Sequence, residues 1–277
     1  MKVARTVLNG ERGGNPSNLH NIINMKRKLS YDISYSQLKS WRKYENWALY
    51  VSMGCTIAKP IIAYWSAECE FIQFLSYISL VLYGILFVVI EIFLQPRVAT
   101  ERQKGLLDNS LGTKLLIENT EGYYDNDNVP VGAKKLLVNT FENCFFTYSI
   151  MKKMLPKIAT YNIILFVILL GFAYFGFQKN HIAMALLQLF FSTIFFRRLM
   201  HHISFCLRLK EIQELFINLF SSKSVTDKEL EDNGYYYTLM YETALAYNKA
   251  PNSDKVYDAS KEELNKQWAD MKKRYGI

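Results

Sequence analysis

Two ionisable side chains interrupt apolar runs of this sequence. Lys59, followed by Pro60, breaks the block Trp47–Trp65, and Glu91 lies near the end of the block Phe71–Leu94. If lipid solvates these blocks, a lysine at depth costs up to about 2.5–3.5 kcal/mol, and less toward the interface. Along a helix Lys59 lies about 9 Å from Trp65, and Glu91 about 30 Å from Phe71, so the two occupy opposite ends and do not pair. Each has two readings. Glu91 is an interfacial carboxylate reaching water or a basic neighbour such as Arg97, or it stands at a pore mouth. Lys59 reaches the outer headgroups, or it joins a charged ring around a water-filled path between subunits. Pro60 removes a backbone donor beside it and predicts a kink.

A second group of candidates lies in polar surroundings. Tyr123 and Tyr124, with Lys134 and Lys135 shortly after, have the residue types to stack a base and hold a phosphate. The plainer reading is a solvated turn whose tyrosines pack on the protein. Arg197 and Arg198 are further cationic candidates for an anionic ligand. His201 and His202 are adjacent and point different ways on a helix, so they make no i, i+4 metal pair. Asp125 and Asp127 resemble the start of a calcium loop, but no glutamate stands at the twelfth position. The four cysteines are scattered singly, which fits a reducing compartment. There is no phosphate-binding glycine loop, His-Glu-x-x-His or nucleophile elbow, and no convergent set for nucleophilic catalysis. The chain does not read as an enzyme. It does not read as a secondary transporter either, lacking inverted halves and broken helices. No cofactor is expected apart from a regulatory ligand.

The elements that must carry these residues follow from hydropathy and charge. Mean hydropathy is −0.02, an average over two dissimilar populations. Four blocks are apolar enough to be membrane spans: 47–65, 71–94, 158–177 and 181–196. A span needs roughly 20 helical residues, which the second and third supply comfortably. Of the 33 lysines and arginines, nine fall in 1–46, nine in 95–157 and thirteen in 197–277, leaving only Lys59 and Lys179. Basic residues gather on the cytoplasmic side, so both termini and the middle segment belong there. The expected fold is all-α: an integral, oligomeric membrane protein with four transmembrane helices in two hairpins and a helical cytoplasmic domain. Trp47, Tyr64 and Trp65 suit interfacial aromatic belts. Ser76, Ser79, Gly84, Gly171 and Gly176 permit close helix contacts.

The organisation predicted is a flexible start (1–18), a cytoplasmic or interfacial helix (19–46), the first hairpin (47–94), a helical insert (95–157), the second hairpin (158–196) and a helical C-terminal region (197–277). The start lacks the apolar run of a cleaved signal peptide. The insert opens as a helix continuing from the second span, breaks at "EGYYDNDNVPVG", and resumes from about Ala133 to Met154. After the fourth block a helix with a stripe at Leu199, Ile203, Leu207, Ile212 and Leu215 emerges from the membrane. Two more helices are introduced by capping boxes at Thr226-x-x-Glu229 and Ser260-x-x-Glu263.

This layout of two spans, a long helical insert, two more spans and a helical tail resembles the SMODS-associated four-transmembrane proteins, pore-forming effectors of bacterial anti-phage systems. The exit from the second span, "ATERQKGLLDNSLG", is similar to that family's helix through Ala99, Gln103, Leu107 and Asp108, and "MYETALAY…LNKQWADMKKRYGI" resembles its ending. The chain departs from the family in glutamine-to-aspartate spacing and in lacking a nearby Leu-Pro-Trp. The resemblance implies a protein of the bacterial inner membrane, multi-pass, whose homo-oligomer depolarises the infected cell. A nucleotide made by a nucleotidyltransferase encoded nearby would open it; in the Hailong type, a short single-stranded oligonucleotide holds it shut. Four helices cannot alone enclose an aqueous path, so several copies are needed, a tetramer being the guess from symmetry. The competing classes are a housekeeping ion channel and a membrane scaffold for a soluble partner.

Overall fold

A computed structural model of the 277-residue chain describes residues 32–63, 70–116, 124, 126, 128–175, 196–222, 224–248 and 253–277. The flexible start, residues 19–31 of the predicted first helix, Tyr123, Gly176 and nearly all of the fourth apolar block lie outside the described residues. Every regular element described is helical, as the periodicity predicts. Helix α1 is Asp32–Ala63, and it runs through Pro60 and across the expected boundary at 46. Helix α2 (Glu70–Val89) passes through a π turn, Ile90–Leu94, into α3 (Gln95–Leu111). Then come α4 (Ala133–Phe175), α5 (Phe196–Ser221), α6 (Asp227–Tyr247) and α7 (Asp254–Tyr275). The described chain divides into two compact units within α3, after Gly105.

The unit before that division is a hairpin of α1 and α2 whose outward side chains are greasy. Phe71, Phe74, Ile78, Leu80, Val81 and Ile85 are all exposed. The continuous stretch Glu70–Leu111 is the described helix long and apolar enough to cross a membrane. Apolar surface of this extent facing water would be strongly unfavourable, and facing lipid it costs nothing.

The second unit is built around the first half of α4, which is buried nearly all round, as a central helix must be. Phe141 stacks on Phe216 at 5.0 Å and on Phe220 at 5.7 Å, and meets Trp268 edge-on at 5.2 Å. Helices α5 and α7 thus close on α4 through aromatic rings, and α6 joins it through the hydroxyl pairs Thr140–Thr238 and Thr147–Tyr241, each 2.9 Å apart. Two bonds fix the α4–α5 register. The Cys144 thiol donates to the Leu209 carbonyl at 3.6 Å, and His202 Nε2 lies 2.8 Å from the Met151 carbonyl. Moving seven residues along α4, from 144 to 151, retreats seven along α5, from 209 to 202, so the helices are antiparallel. The packed face of α5 is His202, Phe205, Leu209, Ile212 and Phe216, stepping by three and four. The predicted stripe is corrected accordingly: Leu207 is 59 % exposed, because Phe205 and Leu209 take the inward positions on either side.

Helix ends follow local chemistry where it is strong. Thr226 caps α6 with both halves of the predicted capping box in place. The second predicted box is wrong. Helix α7 begins two turns earlier, capped by Ser253, and Ser260 is a buried interior residue. Its hydroxyl and the Glu263 carboxylate both accept from Lys153 Nζ of α4, at 3.2 and 2.6 Å. The helix expected to end at Met154 continues to Phe175 across Pro156. At the end of α3, Gly112 adopts φ +69°, and its N–H donates to the Asp108 carbonyl at 3.1 Å, the left-handed ending that glycine allows without strain.

Candidate functional site

The hairpin contains a stripe that turns inward and is largely polar. Leu38, Arg42, Glu45, Leu49, Ser52, Thr56 and Lys59 recur on α1 in alternating steps of four and three, the spacing of a helix–helix seam. Facing it on α2 and its extension are Gln73, Ser76, Ser79, Tyr83, Leu86 and Ile90, none of them exposed. Seam positions on this helix step by three and four to Ile90, then only by four through Leu94, Val98 and Arg102. The wide turn at Ile90–Leu94, where the Gln95 N–H reaches back five residues to the Ile90 carbonyl, absorbs the extra residue and keeps the stripe on one side.

Three levels of polar contact run along this seam. At one end the Arg42 guanidinium donates to Glu91 at 2.6 Å, to Gln95 at 3.1 Å and to Glu45 at 3.2 Å. Glu45 is buried and Glu91 half-buried, so these carboxylates are held chiefly by the partly exposed Arg42 guanidinium. In the middle, the Ser52 and Ser76 hydroxyls lie 3.3 Å apart, Thr56 lies 3.2 Å from Ser76, and Ser76 donates to the Ser52 carbonyl at 3.1 Å. Small residues here allow close approach of the backbones, and their hydroxyls are not stranded because each finds a partner. At the far end Lys59 Nζ donates to Gln73 Oε1, and Gln73 Nε2 donates to the Tyr77 hydroxyl at 2.6 Å. From Arg42 to Lys59 the seam extends about 25 Å along α1, most of a hydrocarbon core.

This arrangement corrects the expected surroundings of Glu91. Its partner is Arg42, 49 residues away in sequence, while Arg97 bonds Glu101 at 3.0 Å. Lys59 does not meet Glu91 and is held by Gln73. Pro60 lies within α1, and its side chain falls outside the described residues. Sequence reasoning missed Arg42, Glu45, Ser52, Thr56, Gln73 and Gln95. A helical search for polar rather than apolar residues at heptad spacing would have found those on α1.

The remaining candidates do not converge. Tyr124 is 3 % exposed and its hydroxyl accepts from Asn143 Nδ2 at 3.1 Å. With its ring enclosed, the plainer reading of packing holds and the base-stacking role does not. Lys135 is buried and engaged, whereas Lys134 is exposed. Arg197 is exposed and donates to His201 Nε2 at 3.2 Å. The α4–α5 register puts it level with Pro156, about 30 Å along α4 from Lys135. The side chain of Arg198 lies outside the described residues. Ala99, Gln103 and Leu107 are half-buried on α3. Asp108 organises the chain as it leaves α3. Its carboxylate accepts from Thr113 Oγ1 at 2.7 Å, Leu115 N at 2.8 Å and Leu116 N at 2.9 Å.

Other chemistry is thinly represented. Burial pushes the Cys144 thiol far above its ordinary range and Cys206 up to about 11, so both stay protonated near neutral pH and neither is an activated nucleophile. His202 is spent on a backbone carbonyl and His201 on Arg197. No group of His, Cys, Asp or Glu suited to a metal ion occurs among the described residues. No protein-family model, curated protein or solved structure matches this chain.

Proposed function

We propose that this chain is a non-enzymatic, multi-pass protein of the bacterial inner membrane that assembles into an ion-conducting pore. In this reading all four apolar blocks cross the bilayer in two hairpins, and both termini lie in the cytoplasm. Opening depolarises the cell and arrests it as an anti-phage response. The observation that carries the reading is the inverted hairpin: apolar side chains outward, and charged and hydroxyl groups inward along about 25 Å. Ionisable residues are too costly at membrane depth to be kept without use, and such groups ordinarily mark ion or proton paths. In a single hairpin the groups satisfy one another and leave no lumen. A path therefore requires several copies, with a symmetric tetramer the simplest closed arrangement to test. Control by a nucleotide or short single-stranded oligonucleotide, made by a nucleotidyltransferase encoded nearby, rests on the family resemblance of the exit helix and the C-terminal segment. The exposed Lys134 and Arg197 are compatible with an anionic ligand.

The test is ion flux from liposomes carrying the purified full chain, with and without candidate nucleotides, beside a potential-sensitive dye in expressing cells. A pore gives flux that changes in Glu91→Gln and Lys59→Gln. Absence of flux under every nucleotide condition leaves a scaffold. Tags at each end that are reachable only after the inner membrane is opened support the topology, and a tag reachable from outside refutes it.

A further inference from the structure

We propose that the outer face of α6 is a docking surface for a second copy of this chain, α6 against α6, antiparallel about a two-fold axis between Leu239 and Thr243. The pairing goes beyond the pore reading and holds whether or not the chain conducts ions. Its first support is the character of the exposed face. On α7 most outward positions are charged, from Asp254 to Arg274. On α6, Tyr235, Tyr236, Leu239, Thr243, Ala246 and Tyr247 all face outward, with Tyr236 57 %, Leu239 66 % and Tyr247 78 % exposed. Between Asp232 and Lys249 the sequence has one charged residue, Glu242, which is half-buried and engaged elsewhere in its own chain. An uncharged aromatic face of this length on a helix of the Phe141 unit marks an interface.

Spacing and size select the partner. The inner side of α6 is spent within the chain, on α4 through Thr238 and Tyr241 and on Phe216 of α5 through Tyr237. On the outer side Tyr236, Leu239, Thr243 and Ala246 step by three, four and three, the spacing of a helix–helix seam. This stripe is bulky in its first half and small in its second. Turned antiparallel on itself, it sets Tyr236 against Ala246 and Leu239 against Thr243, so each large side chain meets a small one. Both copies then use the same patch, which is an isologous contact. A parallel pair would set tyrosine on tyrosine and leave a gap at the alanines. It would also bring Asp227, Glu229, Glu231 and Asp232 beside their own kind, whereas the antiparallel pair holds them at opposite ends. At about 150–250 Å² per fully exposed ring, the three tyrosines with Leu239 present roughly 500 Å² per copy. A pair therefore buries about 1,000 Å², where specific interfaces begin. A lipid surface fits less well, because helices that lie on membranes carry lysine and arginine beside the apolar face, and none occurs between Lys228 and Lys249. A tetramer built on this contact is a dimer of dimers.

The experiment measures interchain disulfide formation in the full chain, with Cys55 and Cys69 replaced by serine and the buried Cys144 and Cys206 kept. Differently tagged L239C and T243C chains are co-expressed, purified and oxidised. The antiparallel pair gives mixed dimers about tenfold above either variant alone, and about tenfold above a mixture of A259C with A269C, which are exposed on α7. Adding Ala246→Glu to both chains should lower the mixed product about tenfold, because it buries a charge against Tyr236. Should L239C or T243C misfold, Y236C with A246C reads the next layer of the same seam. An equal yield from L239C alone, which is the parallel arrangement, overturns the proposal. So does a yield no higher than that of the α7 mixture, an absence of product in both layers, or a full yield in Ala246→Glu. Protection of L239C from a water-soluble maleimide only when phosphatidylglycerol vesicles are present assigns the face to a membrane, and likewise overturns it.

Discussion

The two units solve opposite problems with the same helices. Around Phe141 the apolar rings face inward, and apart from Asp108, Lys135 and Glu142 the charged residues described in that unit are not buried, as water demands. In the α1–α2 hairpin, Phe71, Phe74 and Leu80 face outward while Arg42, Glu45, Ser52 and Lys59 face the seam. On the reading proposed above, the contrast is one of solvent, water around the Phe141 unit and lipid around the hairpin. In water, burial of rings supplies stability and surface ion pairs add little. In lipid, outward apolar groups gain nothing by packing, so small residues and hydrogen bonds hold helices together.

The contrast can be broken on the water side first. Trp268→Ala removes the ring that Phe141 and Phe145 meet, and should cost about 3–5 kcal/mol, read by denaturant unfolding of the C-terminal unit. On the hairpin, Arg42→Met strands two carboxylates and should cost about 3 kcal/mol, whereas Arg42→Met with Glu45→Leu and Glu91→Leu should recover most of the loss. Steric trapping or detergent denaturation reads the difference. Failure of the triple variant to recover would mean that the seam contributes more than mutual neutralisation.

Smaller effects sharpen the comparison. A Cβ at Gly234 would lie 3.0 Å from the Ala133 carbonyl oxygen, so Gly234→Ala should cost about 1–3 kcal/mol by overpacking. A Cβ at Gly84 would enter open space, and Gly84→Ala should be close to neutral. Thr226→Ala should cost about 1 kcal/mol near neutral pH. The Thr226 backbone N–H and hydroxyl hold the Glu229 carboxyl below its ordinary value. That stabilisation is present above the unfolded carboxylate range and is lost as pH falls through the depressed folded value. The gap between native protein and Thr226→Ala should therefore narrow in acid, as followed by thermal unfolding at a series of pH values.

Much of this is legible in the residues alone. Helix type and the cap at Thr226 are local, set by periodicity and by a side chain bonding a neighbour three residues on, whereas the insert's first helix ends at Leu111 and Gly112, ahead of the turn cluster where the break was expected. The second box failed because Ser260-x-x-Glu263 has the right letters inside a helix that had already begun, where a lysine from another helix claims both side chains. The stripe on α5 was misplaced because several apolar phases coexist there, and only contact with α4 selects one. Tyr124 fits the plainer reading made of it, packed on the protein with its hydroxyl accepting from Asn143. The polar seam was legible in part. Its residues were visible on α1 at heptad spacing, but an apolar search discards polar residues.

By itself the sequence determined that the chain is helical, that its hydropathy falls in blocks, and where its basic residues gather, because these depend on composition and short-range spacing. Tertiary structure alone decided that Arg42 meets Glu91, that Lys59 meets Gln73, and that Lys153 of α4 meets Glu263 of α7. Those pairings join residues separated along the chain, and only the register of one helix against another, fixed by packing and a few bonds, brings them within reach.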